Sequence, residues 1–171
     1  MKKCIVGFLF VVFAWQGTFA QKENKVITDP VLHRDVMVGM CTRQGLEQGI
    51  FAPWFNAQYK NYHPDPSKLE AIMPKINKTQ ITVVFGSWCG DSKMQVGRFF
   101  KILDASGYKK KVKIIAVTRR LKAGSVDITA LNIRRIPTFV IYYRGEEVGR
   151  IVESPKTTLE GDLAAILDKM K

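Results

Sequence analysis

The run Ile81-Thr82-Val83-Val84-Phe85 constrains this chain more than any other feature. Consecutive β-branched and aromatic residues without polar alternation predict a strand covered on both faces, inside a sheet that other elements pack against. Gly86 to Gly90 then turn the chain, and Val96, Phe99, Phe100 and Leu103 recur at helical spacing. That spacing predicts a helix over 91–105 with one buried stripe. A second buried strand is expected over 112–117 and a short helix over 128–132. Thr138–Tyr143 and Glu147–Val152 read as two strands joined by Arg144-Gly145-Glu146, a polar connection suited to a hairpin. Thr157 or Thr158 caps a last helix whose inner face carries Leu159, Leu163, Ile166, Leu167 and Met170. The order β-α-β-(short α)-β-β-α makes the first two strands parallel and the last two antiparallel. An α/β fold follows, with a mixed central sheet and helices on both faces.

Upstream, Leu46, Ile50, Trp54 and Phe55 fall near one face of a helical pattern over 42–62, with Pro53 kinking or splitting it. A short strand fits within 31–40. Pro64-Asp65-Pro66 breaks the chain, and Ser67, three residues before Glu70, has the capping-box spacing that starts a helix through Ile76. Residues 21–78 thus read as an N-terminal helical extension to a domain over 79–171. The polar stretch 21–29 leads into it.

The first twenty residues have their own design. Met1-Lys2-Lys3 is positive, Ile5 to Trp15 is almost wholly apolar, and Thr18-Phe19-Ala20 offers small residues for cleavage. This is the layout of a secretory signal peptide over 1–20, so export to a periplasmic or extracellular setting is expected. The apolar run is short for a membrane span, and no stable span is expected after cleavage. Retention as an N-terminal anchor stays open. Cys4 precedes the apolar run, unlike the cysteine of a lipoprotein. Cleavage removes Cys4 and leaves Cys41 and Cys89, and takes the formal charge from +12 to +10. The densest basic run, Lys109-Lys110-Lys111-Val112-Lys113, has only Tyr108 beside it and reads as a solvated loop rather than a nucleic-acid surface. His33 and His63 lack ligand spacing, so neither a metal site nor another cofactor is expected.

The turn itself reads Ser87-Trp88-Cys89-Gly90-Asp91-Ser92. It resembles the active-site turn of the thioredoxin-like redox proteins, Trp-Cys-x-x-Cys between a central strand and a helix. Ile133-Arg134-Arg135-Ile136-Pro137-Thr138 is similar to that family's loop with a cis proline facing the thiol, and Tyr143 to Val148 to its final hairpin. The resemblance runs from about Gln80 to Lys169, and three motifs in order make it specific for the fold. The N-terminal part lies outside the common domain; with a WCGDS turn it resembles exported bacterial members of the superfamily. The resemblance implies Cys89 as the nucleophile, Trp88, Gly90, Asp91 and Ser92 as its turn, and a cis Ile136–Pro137 bond in a substrate-facing loop. Partners would be proteins bearing thiols or disulfides, with an external thiol or reductase.

The departures point one way. Ser92 stands where the family has its second cysteine, which would attack a mixed disulfide from within the molecule. Val83 stands where the family keeps a buried aspartate that helps deprotonate that second thiol. What remains is a single sulfur at a helix start, where unpaired backbone N–H groups favour negative charge. Ser92 offers it a hydrogen bond and Lys93 a positive charge, while Asp91 opposes ionisation. Cys41 has three readings: a buried apolar residue, a distant resolving thiol, or a bridge to Cys89. A single-cysteine thiol–disulfide oxidoreductase is the expected activity. The alternatives are a redox-inactive binding or chaperone-like module, with Trp54, Phe55, Tyr59 and Tyr62 as a partner surface, and a thiol peroxidase. Gly86 argues against the peroxidase, since those proteins resemble a pattern with threonine at that position.

Overall fold

The computed structural model describes residues 23–170; the expected signal segment and Cys4 lie outside them. The order is β1 (Val26–Asp29), β2 (Arg34–Met37), β3 (Gly39–Cys41), α1 (Arg43–Glu47), α2 (Ala52–Asn61), α3 (Pro66–Ile76), β4 (Thr79–Phe85), α4 (Gly90–Ala105), β5 (Lys113–Ala116), β6 (Thr138–Tyr143), β7 (Glu146–Val152) and α5 (Leu159–Leu167). Short 3-10 turns occupy Gly49–Phe51 and Thr129–Leu131.

The central sheet runs β3-β5-β4-β6-β7. As expected, β4 pairs parallel with β5 and antiparallel with β6, and β6 with β7. Side chains alternate cleanly across it. Ile81, Val83 and Phe85 of β4, Ile114 and Ala116 of β5, and Phe139 and Ile141 of β6 face one core, shared with Phe55, Ile72, Phe99 and Leu163 from the helices. Val84, Ile115 and Val117 face the other, with Ile136, Trp88 and Cys89. On this second face the helical cover shrinks to the turn at Thr129–Leu131. Each fully buried Phe or Ile contributes roughly 1.5–3 kcal/mol, and the ring of Phe99 stacks on Phe139 at 4.3 Å between centroids.

The N-terminal segment supplies α1 to α3 and three short strands besides. β1 and β2 form a separate hairpin, and β3 becomes the edge of the main sheet, antiparallel to β5. The helical pattern over 42–62 is broken at Gly49, whose φ of +63° suits glycine. That break resets the phase: Leu46 and Phe55 are buried, but Ile50, expected on the same face, is 67% exposed. Pro53 sits in the first turn of α2, where its missing N–H costs nothing. The cap of α3 is Asp65, which accepts the N–H of Ser67 at 2.8 Å; Ser67, the cap expected from sequence, lies inside the helix. Pro66 at the first position fixes that frame.

The aromatic residues of α2 are packing residues. Phe55 is fully buried, and Trp54, Tyr59 and Tyr62 lie against the same core. Backbones touch here: a Cβ at Gly97 of α4 would stand 2.6 Å from the carbonyl oxygen of Phe55, so α2 rests directly on α4. Arg43, Tyr59 and Asp104 tie α1, α2 and α4 together, with the two terminal guanidinium nitrogens and the phenol donating to the Asp104 carboxylate at 2.6–2.8 Å. Tyr62 donates to the buried Glu160 of α5 at 2.6 Å, and the Asp65 N–H bonds the other oxygen of that carboxylate. The partner-surface reading of these aromatics loses its basis.

The hairpin β6–β7 turns on Arg144 and Gly145 alone, both left-handed (φ +51° and +87°), with Glu146 already in the strand. This matches the two-residue turns that right-twisted strands favour. Thr158, not Thr157, caps α5 by accepting the Gly161 N–H.

Candidate functional site

Cys89 is the N-cap of α4, at the carboxyl end of central strand β4. Its N–H bonds Gly86 O and its carbonyl accepts the Lys93 N–H, so both backbone groups of Cys89 are used. The side chain does not cap the helix. Instead its Sγ, half-buried, lies 3.6 Å from the carbonyl oxygen of Ile136, to which the thiol donates. The Ile136–Pro137 peptide is cis, so the expected proline loop and the turn do meet. Gly90 and Asp91 are exposed beside the sulfur.

Ser92 is fully buried, and its Oγ accepts the N–H of Gly86 at 3.1 Å. The expected hydrogen bond from Ser92 to the sulfur is not made; the hydroxyl closes the base of the turn. Val83 is buried in the apolar core, so no carboxylate lies in the aspartate position. Gly86 has no room for a side chain: a Cβ would stand 2.6 Å from Ile136 Cδ1 and 2.7 Å from Trp88 Nε1. A threonine there clashes with both flanks of the site, which removes the peroxidase arrangement.

Trp88 lies beside the thiol, half-buried, and its Nε1 donates to Val117 O at 2.9 Å. Arg119 packs on the ring with Cζ 5.0 Å from its centroid. The cleft at Cys89, about 290 Å³, is lined by these residues with Leu121, Arg134, Arg135 and Ile136.

Cys41 is elsewhere. It is 2% exposed in β3, two strands from β4, and the cysteines are unbridged. Two strand spacings put it about 10 Å to the side, and it packs in the core on the opposite face from Cys89. Burial pushes its thiol up to about 12. The expectation of a resolving or bridging partner finds no geometry here, and the small-apolar reading fits.

Sequence reasoning missed the contribution of the N-terminal hairpin. Met37 N–H donates to Ser87 Oγ at 3.0 Å, and Arg34 Nη2 to Trp88 O at 3.1 Å. Asp29, buried, accepts from the N–H groups of Val31 and Leu32 on one oxygen and of Arg119 on the other. Those bonds, chiefly that from Arg119, hold its carboxyl below the usual carboxylate range. A lowered native pKa contributes stability above the unfolded value, lost as pH falls through the native one. Asp29→Asn is therefore less stable than wild type at neutral pH, and the gap in thermal midpoint narrows as pH falls below the ordinary carboxylate value. Thermal melts across that range check this; a gap independent of pH overturns it. The one signal for this role was an aspartate before Pro30, a turn pattern that does not name its distant partner.

No protein-family profile matches the chain. The mitochondrial thioredoxin O of Oryza sativa subsp. japonica is 26% identical over 99 residues, covering 56% of this chain and 55% of that protein. The chain thus spans little more than half of that curated relative. Among solved structures, a protein of unknown function from Pseudomonas aeruginosa is 17% identical with a TM-score of 0.48, covering 68% of this chain and 81% of that one. Oxidised mitochondrial thioredoxin 3 of Saccharomyces cerevisiae gives 16% and 0.39, covering 66% and 99%. Thioredoxin f of spinach chloroplast gives 20% and 0.37, covering 64% and 98%. With the sheet order β3-β5-β4-β6-β7, the strand–turn–helix at Cys89 and the cis proline beside it, the chain has a thioredoxin-like fold.

Proposed function

We propose that this protein is a thiol–disulfide exchange protein that works with the one sulfur of Cys89. The observation that carries the reading is the half-exposed Sγ, 3.6 Å from Ile136 O in the proline loop, with the other described cysteine buried on the opposite face. The Cys89 thiolate attacks one sulfur of a substrate disulfide, forming a Cys89–substrate S–S bond and expelling the other sulfur as a thiolate. With Ser92 in the next turn, no sulfur of the same chain follows up. An external thiol attacks the substrate sulfur of the mixed disulfide, regenerating Cys89 and leaving the substrate in a new disulfide. Attack on the Cys89 sulfur instead frees the substrate thiol and leaves Cys89 in a disulfide with the external thiol, which a second external thiol cleaves to regenerate Cys89. The layout of Met1 to Ala20 supports an exported setting, periplasmic or extracellular. Among the described residues no helix is long and apolar enough to cross a membrane.

The test is covalent trapping with the full chain in its native compartment. Wild type is expected to accumulate dithiothreitol-sensitive adducts with proteins, and Cys89→Ala none. Equal adducts from both variants, or a Cys89→Ser variant with undiminished biological activity, overturns the reading in favour of a redox-inactive module.

A further inference from the structure

We infer that the segment of substrate docking beside Cys89 is acidic polypeptide, an inference that rests on the exchange reading above and specifies its partner. The cleft at the thiol carries Arg119, Arg134 and Arg135. Arg135 is neutralised by Glu153 at 2.9 Å. Among the described residues Arg119 and Arg134 have no carboxylate partner; Arg34, outside the lining of the cleft, bonds Trp88 O through its guanidinium. Asp91 is the one carboxylate of the cleft outside that ion pair. Leu121 and Arg134 also line a second cavity, of about 440 Å³, which continues the groove past Lys122 to Ile128 and Ile133. Its carboxylate, Asp127, accepts the Thr129 N–H at 2.8 Å.

The two cavities, which share Leu121 and Arg134, give a groove longer than a small thiol fills. Apart from Arg135, its cations Arg119, Arg134 and Lys122 have no ion-pair partner among the described residues. Desolvating such groups against a basic or neutral partner is costly, whereas acidic side chains satisfy them and speed encounter. Extended chain flanking a cysteine, with carboxylates reaching Arg119, Arg134 and Lys122, meets these demands. Asp29 positions this surface from behind, since its carboxylate holds the Arg119 backbone in place.

The experiment uses three cysteine peptides, acidic, neutral and basic, each activated as the mixed disulfide with thionitrobenzoate. Attack by Cys89 on the peptide sulfur forms the protein–peptide disulfide and releases coloured thionitrobenzoate, the same leaving group throughout. Exposed ion pairs contribute severalfold each, so the acidic peptide is expected to react roughly tenfold faster than the basic one at low ionic strength. The ratio falls toward one at about 0.5 M salt. Arg119→Glu with Arg134→Glu reverses the order, and the milder Arg119→Gln with Arg134→Gln flattens it. Lys156→Glu with Lys169→Glu, at residues that line a separate cavity, leaves the order unchanged. A second arm titrates unactivated peptides onto Cys89→Ser and follows tryptophan fluorescence. Equal rates for all three peptides overturn the acidic-partner inference while leaving the exchange reading intact. Absence of reaction, with tight acidic-peptide binding to Cys89→Ser, supports the groove and overturns the exchange reading. Failure in both arms overturns both.

Discussion

Ser92→Cys shortens the life of a mixed disulfide on Cys89 by about a thousandfold. Residues three apart at a helix start are neighbours, with Cβ atoms about 5–6 Å apart. A sulfur at 92 thus attacks from within, at an effective concentration of order 1 M or more, against roughly 1 mM of an outside thiol. The products are the free substrate thiol and an internal disulfide between Cys89 and the introduced sulfur, so the atoms balance without a further reagent. The exchange of oxygen for sulfur weakens the bond from Gly86 N–H, a cost of about 1 kcal/mol that the fold tolerates. Val83 tempers the gain, because that buried position offers no carboxylate to take the proton of the new thiol. Decay of a purified adduct in about 1 mM outside thiol, followed by mass spectrometry, decides the matter. An adduct as long-lived in the variant as in wild type means that Ser92 is not what leaves the chemistry without a resolving step.

Cys89 and Cys41 differ in reactivity toward a water-soluble thiol reagent by at least about a thousandfold. Cys89 is half-exposed in an open cleft, whereas Cys41 is 2% exposed with its thiol pushed up to about 12. At pH 7 such a thiol is roughly one part in 10⁵ thiolate, and that fraction is also out of reach. Native protein lacking residues 1–20 therefore takes up one equivalent quickly, and the second appears only in denaturant. Cys89→Ser abolishes the fast phase; Cys41→Ala leaves it unaltered. Two fast equivalents in the native protein place Cys41 outside the core and reopen its role as a partner for Cys89.

Legibility tracked the range of the interaction. The strand at Ile81–Phe85, the stripe Val96-Phe99-Phe100-Leu103 and the hairpin at Arg144-Gly145 are local patterns, and each folds as its residues dictate. The errors arose where two local signals competed. Asp65 prevailed over Ser67 as cap because Pro66 starts the helix two residues earlier, and Gly49 shifted the phase that had placed Ile50 inside. At the site, the thiol turn and the facing proline were readable as motifs, whereas the direction of the Ser92 hydroxyl was not, since either the sulfur or Gly86 N–H satisfies it locally.

The order of amino acids alone determined a buried strand, a turn with a single sulfur, a helix behind it and a proline loop to come. The tertiary structure decided what holds that sulfur and what surrounds it. Ser87, Trp88 and Arg119 are fixed by Met37, Arg34 and Asp29, contacts separated by 50, 54 and 90 residues. Arg119 and Arg134, distant in sequence from Cys89, come to line one cleft with it. Hydrogen bonds and charges brought together by folding leave no periodicity in the chain, because the pairing is set by where the sheet puts each loop.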